Sequence, residues 1–367
     1  WSERYDREMK DIFDVQDEIT LAVVEALKVR LLGEKKSAVL KRHTNDPETY
    51  ELYLKGRYYQ NKHTPEGWVK ALEFFDRAIA KEPEYAAAYA AKALCMNLIN
   101  YFGALPPEAV PEWRAMAHRA LELGGNLADA HLAKAGVYFY YEWDWAAAER
   151  EYRLTVELNP NYSEARQLYG MFLAGRGRFE EAVDEGRRAL ELDPLSLSAH
   201  FSMGWIYFLA NRQEDVREQV RRMLELEPNY FAAYWTLAAS YATLERYEES
   251  IEAVQKSLTF GWNQLTLGSL GMTYGIIGKR DEARKVLEQL LELRERQNVC
   301  ALNIARVYSG LGENDKASEW FERAVAERNM ELTFLEAETK VGAESLLGKS
   351  ITDSRILDLM RRAGLIS

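Results

Sequence analysis

The chain is poor in the residues that staple, interrupt or loosen a fold. Only two cysteines, Cys95 and Cys300, stand in 367 residues. That is too few for a disulfide framework, and a reducing compartment, the cytoplasm, is expected. Nine prolines and 22 glycines exclude a low-complexity or linker-dominated protein. Long hydrophobic runs are missing as well. A membrane-spanning helix needs about 20 mainly apolar residues, and the best candidate, Ile351 to Ser367, is broken by Asp353, Arg355, Asp358, Arg361 and Arg362. Positive charge is in deficit: 47 Lys and Arg against 58 Asp and Glu leave a net charge of −11. Direct nucleic-acid binding, which needs a clustered basic excess, is therefore not expected. The five histidines, His43, His63, His118, His131 and His200, show no ligand spacing with one another or with the cysteines, so neither a metal site nor a cofactor is expected.

The few prolines keep a rhythm. Pro160, Pro194 and Pro228 follow at 34 residues (194−160 and 228−194), and Pro47 and Pro83 fall near the same beat. A period of 34 is that of tetratricopeptide repeats, helix-turn-helix units that bury their apolar faces only against neighbours. Residue types agree with the period. The clearest copy runs Tyr169, Gly170, Leu173, Ala182, Ala189, Pro194; the next reads Gly204, Tyr207, Val216, Val220, Met223, Pro228. Small residues such as Gly56, Gly170, Gly204 and Ala182 are expected where helix backbones approach, with aromatics filling the space beside them.

The expected fold is all-α, a right-handed superhelical solenoid of about eight such repeats with terminal capping helices. Helix pairs should begin near Thr49, Ala86, Ala128, Ser163, Leu197, Phe231, Gln264 and Asn298. Residues 1–44 are read as an amphipathic capping helix, Asp11 to Leu32, with a connector; 45–330 as the array; 331–367 as a C-terminal cap with a last helix, Ile356 to Ala363. The chain opens on Trp1 with no signal pattern and reads as a piece of a longer protein.

In a repeat of this type, positions 2, 5, 9 and 12 of the first helix face the groove. In the repeat beginning at Leu197 these are Ser198, Phe201, Trp205 and Phe208, and the next repeat adds Trp235. An exposed aromatic patch of this size marks an interaction site, and packing within a tightly curled superhelix is the alternative account; Phe201, Trp205, Phe208 and Trp235 are the candidate binding residues. Tyr53, Arg57 and Phe139 are secondary candidates. The Lys, Asn and Arg set with which carboxylate-clamp repeats hold a chaperone terminus is absent at the matching positions, two of which are Tyr53 and Arg57. Residues 97–112, with Pro106, Pro107 and Pro111, form an enlarged inter-helix loop that is a further contact candidate. Gly175-Arg176-Gly177 looks like part of a phosphate loop, but no strand precedes it and the phase makes it an inter-helix turn.

Longer stretches resemble a bacterial family. They are Trp1-Ser2-Glu3-Arg4-Tyr5-Asp6-Arg7-Glu8, Asp11-Ile12-Phe13-Asp14-Val15-Gln16-Asp17-Glu18-Ile19, Tyr50-Glu51-Leu52-Tyr53-Leu54-Lys55-Gly56-Arg57-Tyr58-Tyr59, the Trp143-Asp144-Trp145 turn and Leu359-Met360-Arg361-Arg362-Ala363-Gly364-Leu365. The chain is similar to signalling proteins in which a TolB-like segment precedes a C-terminal repeat array. There the array stands behind a class III adenylate or guanylate cyclase, a serine/threonine kinase or a winged-helix regulator. The resemblance implies an interaction scaffold or regulatory module that binds a peptide, a helix or another protomer. A sensor for a small amphipathic ligand in the aromatic groove is the alternative. An enzyme is not expected, because no nucleophile-base pair, metal cluster or phosphate cradle is legible.

Overall fold

A helix pair with apolar residues on one helix all round and a single stripe on the other can bury itself only between two neighbours. The helices of this chain are of those two kinds. The computed structural model describes Thr44 and residues 46–62, 64–101, 105–261, 264–296, 299–341 and 354–366. The expected helix over Asp11 to Leu32 lies outside the described residues. Among those described there are 18 α-helices and no strand. Eight pairs follow one another: α1 (Pro47–Gln60) with α2 (Pro65–Lys81), α3 (Ala86–Tyr101) with α4 (Val110–Leu123), α5 (Ala128–Val137) with α6 (Trp145–Leu158), and α7 (Ser163–Gly175) with α8 (Phe179–Leu192). Then come α9 (Leu197–Leu209) with α10 (Gln213–Leu226), α11 (Phe231–Thr243) with α12 (Tyr247–Phe260), α13 (Gln264–Ile276) with α14 (Arg280–Arg296), and α15 (Ala301–Gly310) with α16 (Asn314–Ala326). Two shorter helices close the chain, α17 (Leu335–Val341) and α18 (Ser354–Arg362). The pairs start where the 34-residue phase places them.

The chain separates into two compact units. One holds residues 1–95 and 116–130, the other 96–115 and 131–367. In the first, Tyr85 packs with Leu52, Ala78, Ala87 and Ala88. The second carries six of the pairs and shows the division of labour plainly. Phe201 to Leu209 of α9 are buried without a break, whereas α10 buries only Val216, Val220 and Met223. First helices are therefore the inner layer and second helices the outer one.

The proline rhythm acts through a recurrent hydrogen bond. The carbonyl of the closing proline accepts from a side chain six residues on: Tyr89 to Pro83 at 3.2 Å, Arg166 to Pro160 at 2.9 Å, His200 to Pro194 at 3.0 Å and Tyr234 to Pro228 at 3.1 Å. Three side-chain types make the same tie, which fastens each turn to the next first helix. The turn inside each pair recurs too, with a left-handed residue at Gly177, Asn211, Glu245, Gly278 and Gly312. There the next backbone N–H reaches back five residues, as from Arg212 to Tyr207 and from Arg246 to Tyr241. The same arginines lie over those tyrosine rings.

Gly56 meets its expected role, since a Cβ there would collide with the Phe75 ring. Gly204 does not: the nearest atom to an added methyl is Thr236 Cγ2 at 3.4 Å, an ordinary contact. Gly204→Ala should therefore be neutral or stabilise by up to about 1 kcal/mol, through the helix propensity of alanine. Gly56→Ala should destabilise by about 1–3 kcal/mol through overpacking. Urea denaturation of the two variants checks the contrast.

Candidate functional site

Inner-layer aromatics at positions 5, 9 and 12 of successive first helices fall side by side, because consecutive repeats stack in register. The candidate patch is thus assembled. Trp205 stands edge-on to Phe208 at 4.8 Å and to Trp235 at 4.9 Å, and Phe201 stacks on Trp235 at 6.1 Å. Its expected openness is not found. Phe201, Phe208 and Trp235 are 4% exposed and Trp205 5%, so the four residues do not present a free surface. The rings bury one another, Tyr101 covers Phe201, and the segment after the last repeat borders Trp205 and Trp235. Met330–Phe334 makes a 3-10 turn and runs into α17, and this strap folds back across the inner layer. The turn packs on α7 and α17 packs on α7 and α9. Met330, Glu331 and Phe334 share a small cavity with Trp205, Trp235 and Tyr101.

The expected 97–112 loop is shorter than its phase implied, since residues 97–101 belong to α3 and 110–112 to α4. Tyr101, at the end of α3, stands perpendicular to Phe201 at 6.0 Å, and burial holds its hydroxyl pKa well above the usual tyrosine value. Phe139, a secondary candidate, is fully buried. It sits in a π turn, Tyr138–Glu142, that ends at Trp143 with φ +57°, and it is ringed by Phe172 at 5.3 Å, Phe334 at 5.9 Å and Trp145 at 6.0 Å. It is a packing residue beneath the strap. Tyr53, in the other unit, is half-buried and packs edge-on to Tyr85 at 5.6 Å. Arg57 of the same helix is half-buried.

Electrostatics hold the strap. Arg306, almost wholly buried, donates to Glu331 Oε2 at 2.5 Å and to Asn303 Oδ1 at 2.9 Å. Arg176 pairs with Glu336, and Lys340 lies 3.0 Å from the other oxygen of that carboxylate. Arg176 also lies over the Trp145 ring at 4.4 Å, and burial draws its pKa down to about 10. Glu331, Glu336 and Glu338 are all buried. Charges this deep are rare unless paired, because desolvation costs several kcal/mol per ion. Two buried side-chain atoms that border the cavity, Trp205 Nε1 and Glu331 Oε1, make no hydrogen bond.

The turn Gly175-Arg176-Gly177 proves to be the seat of the strap. A Cβ on Gly175 would lie 3.1 Å from the Thr333 carbonyl oxygen, and one on Gly177 would collide with the Lys340 side chain. Lys340 Nζ donates to the Arg176 carbonyl at 3.0 Å. The sequence signal for this seat was a small-Arg-small turn; what it lacked was any mark of the segment that would cross it. Further along, Ile356 and Met360 of α18 and Leu365 beyond it are buried in one cluster with Leu302, Ala305, Phe321 and Ala324 of the last repeat. Trp145 Nε1 donates to the Gly364 carbonyl at 3.0 Å, which ties this end to the third repeat.

Tetratricopeptide-repeat family models match residues 134–196, 231–260, 265–296 and 300–328, the stretches in which the helix pairs and their turn bonds recur. The array is built of tetratricopeptide repeats. Over 137 residues the chain is 31% identical to "Putative adenylate cyclase 3" of Rhizobium meliloti (strain 1021), a match that takes in 37% of this chain and 23% of that protein. Solved structures that resemble the repeat fold include Pseudomonas aeruginosa pilF, at 22% identity, covering 57% of this chain and 91% of that one with a TM-score of 0.41. A tetratricopeptide repeat protein from Parabacteroides merdae ATCC 43184 is similar at 15% identity, covering 80% and 98% with a TM-score of 0.43. Among the described residues there is no group of His, Cys, Asp or Glu able to hold a metal ion, and no helix long and apolar enough to cross a membrane.

Because Trp205 is a packing residue of the tetratricopeptide array, Trp205→Ala should cost about 3–5 kcal/mol of folding free energy, as large-to-small core substitutions do. Chemical denaturation measures it, and a loss below about 1 kcal/mol would show that the strap does not seal the patch.

Proposed function

We propose that this array is the protein-interaction and regulatory module of a larger bacterial signalling protein, working in the cytoplasm and without catalytic chemistry of its own. One observation carries the reading: the groove already holds a peptide, its own strap, through aromatic packing and two buried ion pairs. A surface that clasps an extended or helical segment in this way has the anatomy of a peptide site, with large anchors at the centre and charged pairs fixing the register. The partial relative named as an adenylate cyclase supports the signalling setting, as does the resemblance of the Trp143-Asp144-Trp145 turn and the closing Leu359 to Leu365 stretch to arrays that stand behind such domains. The partner would be a protein segment or a second protomer, and the two buried free thiols suit a reducing compartment.

Residue-resolved cross-linking in cells that express the full chain tests the proposal. Cross-links to a partner or a second copy should fall on the inner helices α7, α9, α11 and α13. Cross-links confined to the outer helices α8, α10 and α12 would remove the groove from the reading. A small-ligand sensor is the second reading, favoured by the unpaired Trp205 Nε1 and Glu331 Oε1 beside the cavity. A ligand that accepts from the one and donates to the other would raise the melting temperature, and it would fail to do so in Glu331→Gln.

A further inference from the structure

We infer that the strap, Met330 to Val341, is an exchangeable pseudo-ligand that closes the groove until an acidic amphipathic peptide replaces it. The inference rests on the interaction reading above and names the chemistry of the partner. Three observations point to an exchangeable occupant. First, the strap is not a repeat and is too short to be helical alone: α17 has seven residues, and isolated helices of that length are unstable in water. Its conformation is supplied by the groove.

Second, its docking joins the burial of Met330, Leu332, Phe334 and Leu335 to charge pairs that a permanent core element does not need. Glu331 is buried against Arg306 and Glu336 against Arg176, and replacing such pairs by packed apolar residues is often neutral or stabilising. A buried ion pair gives register, and register is what a site needs to choose between occupants.

Third, the fit is incomplete. The cavity between the strap and the inner layer borders an unpaired indole N–H and an unpaired carboxylate oxygen, each carrying a desolvation cost that a better partner would relieve. An empty groove is not an alternative state, because Trp205 and Trp235, which border the strap, would then open apolar surface to water. Release of the strap therefore requires a substitute. The strap itself defines that substitute: a carboxylate for Arg306, a second one five residues on for Arg176, and large apolar side chains one residue before and three after the first.

The test uses a fluorescent peptide of residues 328–341 with the full chain, its Glu331→Arg variant and a double variant that combines Arg306→Glu with Glu331→Arg. In the parent the tethered strap competes at an effective concentration of about a millimolar, as short linkers give. The peptide should bind Glu331→Arg at least tenfold more tightly than the parent. It should not bind the double variant, in which a carboxylate in place of the Arg306 guanidinium would face the Glu331 carboxylate of the peptide. Hydrogen exchange of the parent should release the amides of residues 331–338 at least tenfold faster than those of α9 and α11. Exchange of the strap together with α9, loss of the helical signal in Glu331→Arg, or a folded Glu331→Arg that ignores the peptide would each overturn the inference and make the strap part of the core. The site of partner cross-links is read independently of the exchange of the strap, so the interaction reading and the strap inference fail separately.

Discussion

A tetratricopeptide helix pair has no interior of its own, and this constraint governs the rest of the structure. In the second unit the inner helices bury more than half of their residues and the outer helices a narrower stripe, so each pair depends on its neighbours. The proline-carbonyl ties from Tyr89, Arg166, His200 and Tyr234 hold that dependence in register, since each joins the end of one unit to the first helix of the next. Stacking solves the sides of each pair. It leaves two faces unsolved: the end of the stack and the inner face of the first helices.

Both are met by the last part of the chain. The amphipathic helix α18 and the residues after it cover the end, burying Ile356, Met360 and Leu365 against the last repeat. The strap crosses the inner face and borders Trp205 and Trp235 there. The two coverings differ in chemistry. That of α18 is mainly apolar, whereas the strap adds to its buried Leu332 and Leu335 the pairs of Glu331 with Arg306 and Glu336 with Arg176, and crosses α7 where Gly175 leaves room for the Thr333 carbonyl. An apolar cover favours any well-packed partner of the right size. A cover fixed by ion pairs favours one register and one arrangement of charge.

This difference links fold to function. On the proposed interaction reading, Trp205 and Trp235 of the inner layer are the anchors and Arg306 and Arg176 the directional polar partners. The two arginines come from the last repeat and from the turn of the fourth, more than a hundred residues apart in sequence (306−176 is 130). The charge pattern of the groove is thus a property of the stacked array and of no single repeat.

The sequence by itself determined the repeat. A 34-residue period in prolines, small residues and aromatics encodes contacts between adjacent units, which are local, so eight helix pairs and their starts were legible, as was the clustering of Phe201, Trp205, Phe208 and Trp235. Only the tertiary structure decided what covers that cluster. Met330 to Val341 carries no repeat phase, and α17 is too short for a helical period to be read; its place depends on Arg306, Arg176 and Gly175 meeting it across the groove. Gly204 was misjudged for a related reason, because the closeness of two helices is set by their full set of neighbours and not by the small residue alone. Contacts between sequence neighbours leave a period in the chain, whereas a segment that folds back over distant helices is fixed by long-range burial and charge pairing, which leave none.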